Sequence, residues 1–181
     1  MKGSFNVLLD PLPSTFDGGE VRTDYRQALK FFRIVESSNM DAEEKSVLIL
    51  RCLFERLPRH SDQLWTFVQW YISGGEVGKD ATPGEKVLDF EQDAGRIHAA
   101  FLQVYGIDLR TTDMHWWLFL SLFRSLPAEG TDLARAIEIR SKKIEKGMDK
   151  KTARALRKAK AAYALCGETA RRKDFKGFLR G

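Results

Sequence analysis

The stretch "DMHWWLFLSLFRSLP", Asp113 to Pro127, constrains the fold more than any other part of the chain. From Trp116 to Phe123 only Ser121 is polar. A helix over these residues has no hydrophilic side, and a helix that is apolar all round is normally surrounded by other elements. The run is far too short for a bilayer, which needs roughly 20 apolar residues. The chain must therefore bring other helices around it, and each large side chain fully buried there contributes roughly 1.5–3 kcal/mol. A central core helix is the default reading of His115, Trp116 and Trp117. An exposed apolar patch that receives a partner is the rival, and catalysis by His115 comes third.

The rest of the sequence supplies such helices. "TDYRQALKFFRIVESS" sets Tyr25, Leu29, Phe32 and Val35 on one face, with Thr23 or Asp24 available as a cap. "DAEEKSVLILRCLFERLP" starts with Asp41 and Glu44 in capping-box spacing, stops before Pro58 and aligns Val47, Leu50, Phe54 and Leu57. "SDQLWTFVQWYISGG" groups Leu64, Val68, Tyr71 and Ile72 and ends at a glycine pair. Beyond a Gly/Pro loop, "DFEQDAGRIHAAFLQVYG" places Asp89 and Gln92 in capping-box spacing ahead of a stripe of Phe90, Ala94, Ile97, Phe101 and Val104. "TDLARAIEIRSKKIEK" predicts a helix ending near Gly147, and "DKKTARALRKAKAAYALCG" one capped by Asp149 and stopped at Gly167. Upstream, Asp17-Gly18 in "STFDGGEVRT" is a hairpin signal. The expected fold is mostly α, a single-domain bundle of about seven helices with a short N-terminal β-hairpin. Residues 1–22 form the extended or hairpin segment, 23–147 the helical body, 148–167 a basic helix and 168–181 a basic flexible tail.

Charge divides the chain. Residues 140–181 hold 15 Lys or Arg against 4 Asp or Glu, a net +11, whereas residues 1–139 hold 15 basic and 21 acidic residues, a net −6. An acidic body with a basic arm favours nucleic acid, a membrane surface or an acidic protein as partner. On the last helix Lys150, Arg154, Arg157 and Lys158 share one face, and Leu156, Ala159, Tyr163 and Cys166 share another. No aromatic residue interleaves with the cations, so stacking of single-stranded bases finds no support. Either this helix docks with a solvated outer face, or that face meets an anionic partner. The start "MKGSFNVLLDPLP" lacks the apolar core of a secretory signal. The distant Cys52 and Cys166 read as reduced thiols of a cytoplasmic protein.

Motifs for catalysis are missing. His60, His98 and His115 show no metal-binding spacing, and no cysteine pair joins them. Gly78-Lys79 resembles part of a phosphate loop, but Ser73 and Asp80 stand where that motif needs Gly and Ser or Thr. Asp89, Glu91 and Asp93 cluster at a helix start, where capping and the helix dipole account for them. The expectation is a non-enzymatic protein with no catalytic residue, cofactor or metal.

"DFEQDAGRIHAAFLQVYGIDL", "MHWWLFLSLFRSLP" and "IEIRSKKI", with "TDYRQALKF" and "FVQWYISGG" upstream, resemble the bacteriophage gene-product-fifteen family over roughly residues 16–165. That family belongs to tailed phages and prophages of Gram-positive bacteria. The resemblance implies a tail assembly chaperone, which holds the tape-measure protein in the host bacterial cytoplasm and is absent from the mature virion. Further tail assembly proteins and a second copy of the chain are additional expected partners; a membrane is not. A chaperone of this kind needs apolar grooves that accept amphipathic helices. Trp65, Trp70, Trp116 and Trp117 are candidates for such a groove, and Lys150, Arg154, Arg157 and Lys158 for a charged contact. The alternatives are a nucleic-acid-binding phage protein acting through the basic arm, and a structural tail component.

Overall fold

Side-chain caps start five of the helices. The computed structural model describes residues 5–59, 61–76 and 86–166. His60, the Gly78-Lys79 loop, Gly167 and the basic tail lie outside them. Among the described residues there are seven α-helices and one two-stranded antiparallel sheet. The strands β1 (Thr15–Phe16) and β2 (Gly19–Glu20) pair Thr15 with Glu20 and Phe16 with Gly19. Asp17 and Gly18 take φ of 48° and 75° between them. Positive φ at both central residues is the signature of the tight hairpin turn expected here.

The chain gathers into two compact units, interleaved in sequence: residues 1–82 with 109–126, and residues 83–108 with 127–181. The first unit contains the hairpin and the helices α1 (Tyr25–Val35), α2 (Ala42–Leu53), α3 (Asp62–Ile72) and α5 (Trp116–Arg124). Asp24 caps α1, and Asp41 with Glu44 forms a complete capping box on α2. Helix α1 packs against both α2 and α5. Leu64, Val68, Tyr71 and Ile72 of α3 are all buried, as their spacing predicts.

Two predicted faces are rotated. Of the face predicted for α2, Phe54 is buried and Leu50 half-buried, but Val47 and Leu57, the latter beyond the helix end, are 42% and 55% exposed, and Ile49, Cys52 and Leu53 join the core. The cause is an early end to the helix. Phe54 is extended and pairs with Val21, and Arg22 donates its N–H to the Leu53 carbonyl. On α1, Ala28 is buried alongside Tyr25, Leu29 and Phe32 are half-buried, and Val35 is exposed.

The second unit contains α4 (Ala94–Tyr105), α6 (Asp132–Ser141) and α7 (Lys150–Tyr163). Helix α6 packs on α4 and on α7. Ile97, Ala100 and Phe101 carry the buried face of α4, while Ala94 and Val104 of the predicted stripe are exposed. Helix α4 begins at Ala94, later than the Asp89 box predicts, because residues 90–93 form a turn ahead of it. Helix α6 ends at Ser141 and not near Gly147. Lys142 is extended, and the segment that follows turns before Asp149 caps α7. Because α7 ends at Tyr163, Cys166 drops out of its predicted apolar stripe and is exposed.

Candidate functional site

The tryptophan pair of α5 is committed to structure. Trp116 and Trp117 are 1% and 5% exposed. Their indole N–H groups donate to consecutive carbonyls at the end of α3, Trp116 to Ile72 at 3.0 Å and Trp117 to Tyr71 at 2.7 Å. Arg124 of α5 continues the series by donating to the Ser73 carbonyl at 3.1 Å. The last carbonyls of a helix lack partners within it, so α5 supplies side-chain donors to the C-terminus of α3. The glycine pair that ends α3 lets the indole approach. Gly75 has φ of 85°, and a Cβ there would lie 2.8 Å from the Trp117 ring. Trp116 and Trp117 therefore form core, and the partner-binding reading of these two residues is corrected by their burial and their bonded indoles.

His115 is the N-cap of α5. Its Nδ1 accepts from the Trp117 backbone N–H at 3.0 Å, and its Nε2 lies 3.0 Å from the Pro13 carbonyl. An accepting Nδ1 and a donating Nε2–H define one neutral tautomer. Burial pushes its pKa below the ordinary value, against the opposing pull of the Pro13 carbonyl. Both ring nitrogens are thus occupied, which leaves neither free as a catalytic base. His98 is likewise paired, 2.9 Å from Asp108. Among the described residues no group of three or more His, Cys, Asp or Glu is placed to hold a metal.

Trp65 and Trp70 of α3 are half-buried. Trp70 is packed edge-on by Phe5 and Trp117 and tilted against Phe67. Large apolar side chains do reach the surface nearby in sequence. Val35, Met40, Val47 and Leu48, from α1, α2 and the turn between them, are 45%, 37%, 42% and 37% exposed.

The second unit is organised around a charge pair that the sequence does not announce. Asp93 is wholly buried and Arg140 is 7% exposed. Arg140 donates Nη1 to one Asp93 oxygen at 2.6 Å and Nη2 to the other at 2.9 Å, and Arg96 adds a third bond at 3.0 Å. Burial alone would raise the Asp93 pKa, but the Arg140 bonds, the Asp89 backbone N–H and Arg96 outweigh it and hold the pKa below the usual carboxylate value. Asp89 shows the same competition. Burial works against its charge, yet the backbone and side-chain N–H groups of Gln92, with Lys86, hold its pKa down to about 2. Capping explains Asp89, which accepts from the N–H groups of Glu91 and Gln92. It does not explain Asp93, whose partner is 47 residues away.

The family described as Bacteriophage Gp15 protein matches the chain over residues 8–165. The chain belongs to that family. No curated protein and no solved structure matches it. The seven helices of this Gp15 protein among the described residues, α1 to α7, all fall within the matched residues.

In the Gp15 chain α7 is fastened by its inner side. Ala153 is buried, and Leu156, Ala159, Lys160 and Tyr163 are half-buried. Arg140 donates Nε to the Tyr163 carbonyl at 2.7 Å, and Lys160 donates to the Arg140 carbonyl at 2.6 Å. The C-terminal carbonyls of α6 and α7 are thus each met by a cation from the other helix, where positive charge is favoured. Gln92 exchanges two further bonds with the Cys166 backbone. Lys150, Arg154, Arg157 and Lys158 stand together on the opposite, exposed side, as their spacing predicts. Arg140, counted in the basic arm by sequence, belongs to the interior. No helix among the described residues is long and apolar enough to cross a membrane.

Proposed function

We propose that this phage protein is a non-enzymatic tail assembly chaperone, acting in the host cytoplasm and binding the tape-measure protein before the tail tube forms around it. Membership of the Gp15 family supports a role in phage biology. The observation that carries the finer reading is the α1–α2 hairpin, which leaves Val35, Met40, Val47 and Leu48 exposed while Ile49, Cys52 and Leu53 hold the core. Such residues give an amphipathic client helix an apolar surface to lie against. Half-buried Trp65 is a further candidate contact on α3, whereas Trp116 and Trp117 are not.

The test is co-expression with the tape-measure protein of the same phage. The wild-type chain should co-purify with it, and Val47→Asp with Leu48→Asp should lower the yield of complex at least tenfold while the helical circular dichroism is kept. Recovery of the chain as a stoichiometric part of purified tails would refute the chaperone role and establish a structural tail component.

A further inference from the structure

We infer that the outer face of α7 is a sequence-independent docking surface for the phosphate backbone of duplex DNA. Lys150, Lys151, Arg154, Arg157 and Lys158 are all exposed, and their side chains make no ion pair or hydrogen bond among the described residues. Some cations elsewhere are paired, since Arg26, Lys86, Arg96, Arg124, Arg140 and Lys142 each meet a carboxylate, but none of the five in this row does so among the described residues. No acidic residue occurs between Lys150 and Cys166, so nothing on the helix neutralises the face. The cations are also presented in fixed order. The inner side is held by Arg140, Lys160 and buried Ala153, and Asp149 caps the first turn. From Lys150 to Lys158 the row rises about 12 Å at about 1.5 Å per residue, a length that faces several consecutive phosphates of a strand spaced about 3.4 Å along the axis.

The chemistry of the face selects among anionic partners. Its remaining exposed side chains are Thr152 and the small Ala155, Ala161 and Ala162. A protein interface centres on large aromatic or aliphatic anchors and is depleted in lysine, and this face has no such anchor. Insertion at a membrane surface needs Trp, Phe or Leu opposite the charges, and unwound strands need aromatic platforms. A rigid cation row without rings or large apolar groups matches the backbone of a duplex, where affinity comes from counterion release. Arg140 and Lys160 take no part, since both are spent on helix termini within the fold.

The experiment measures anisotropy of a labelled random-sequence 20-base-pair DNA titrated with the full chain. About four phosphate contacts give a slope of about −3.6 in log affinity against log salt, or a loss of about 100-fold between 50 and 200 mM. Arg154→Glu with Arg157→Glu and Lys158→Glu should abolish binding at 50 mM salt with the far-ultraviolet circular dichroism unchanged. A full-length variant with Arg171, Arg172 and Lys173 changed to Glu should still bind. Binding that survives the α7 substitutions, or that is lost only with the tail substitutions, overturns the assignment. So does a salt slope shallower than −1, or tighter binding to an acidic helical peptide than to the duplex at equal salt. The α1–α2 variants of the chaperone test should leave DNA binding unchanged, so the two ideas fail separately.

Discussion

The two units solve the same problem with opposite chemistry. The first packs rings: Phe16 stacks on Phe67, Tyr25 on Phe119 and Trp116 on Phe119, with centroids 4.5, 4.7 and 5.6 Å apart. The second has few large rings inside and closes around Asp93 and Arg140, with Ala100, Ala136 and Ala153 letting its helices approach. In both, helix C-termini are met by side-chain donors from distant residues, two indoles with Arg124 in the first and Arg140 with Lys160 in the second. The difference teaches where each unit is fragile. Ring packing is lost when volume is removed, whereas a buried ion pair is lost when one partner goes or when the carboxylate takes a proton.

The sharpest test of that contrast is Arg140→Met, which leaves Asp93 charged and buried without its main partner. Breaking a buried pair in this way costs about 3–5 kcal/mol. Adding Asp93→Leu should return more than half of the loss, because the unpaired charge is then gone. All four tryptophans lie in the first unit, at positions 65, 70, 116 and 117. Urea unfolding followed by tryptophan fluorescence therefore reports that unit, while amide exchange in α4 and α6 reports the other. An equal shift of both signals would break the comparison and show one cooperative transition.

A smaller effect is expected from Trp116→Phe. It removes the N–H that reaches the Ile72 carbonyl and part of a well-packed ring. The unmet carbonyl and the lost contacts together cost about 1–3 kcal/mol. The loss should appear as a lower urea midpoint for the fluorescence transition, with amide exchange in α6 unaffected. A drop below 0.5 kcal/mol would mean that water replaces the indole at no cost.

His115→Ala should cost about 1 kcal/mol, the usual worth of an N-cap, and His115→Asn should recover most of it. The cap also sets a pH window. The folded His115 pKa is depressed, so its contribution is full above the unfolded value of about 6.5 and falls as pH drops through the folded pKa. Asp93 and Asp89 are also depressed, but as carboxylates. Their contribution is full above about pH 4 and is lost as pH falls toward about 2, the folded value at Asp89. Acid titration should therefore loosen the tryptophan-bearing unit first and α4 and α6 later. Stability of the His115→Ala protein that still declines between pH 6.5 and 5 would remove His115 as the cause.

Much of this architecture was legible because it is local. Asp24, Asp41, Asp149 and Asp17-Gly18 act on residues within a turn of themselves, and they set the starts of α1, α2 and α7 and the turn of the hairpin. The candidate sites were legible in part. The cation row of α7 needs only helical spacing, and Trp116 and Trp117 were marked as core by the lack of any polar side. Which face of α2 turns inward was not legible, because the extended Phe54 answers to Val21, more than thirty residues earlier in the chain. His115 as a cap was equally hidden, since only the pairing of its neighbours with Thr23 and Tyr25 shows where α5 begins.

The sequence by itself determined a mostly α protein of the Gp15 family with an apolar central helix and a basic last one, since periodicity, capping and charge depend on neighbours a few residues apart. The tertiary structure alone decided that Asp93 would meet Arg140, that two indoles would close the end of α3 and that Arg140 would leave the basic arm for the interior. Those outcomes depend on burial and on carbonyls contributed by remote segments. A carboxylate at a helix start reads the same in sequence whether it caps the helix or waits for a guanidinium from another one.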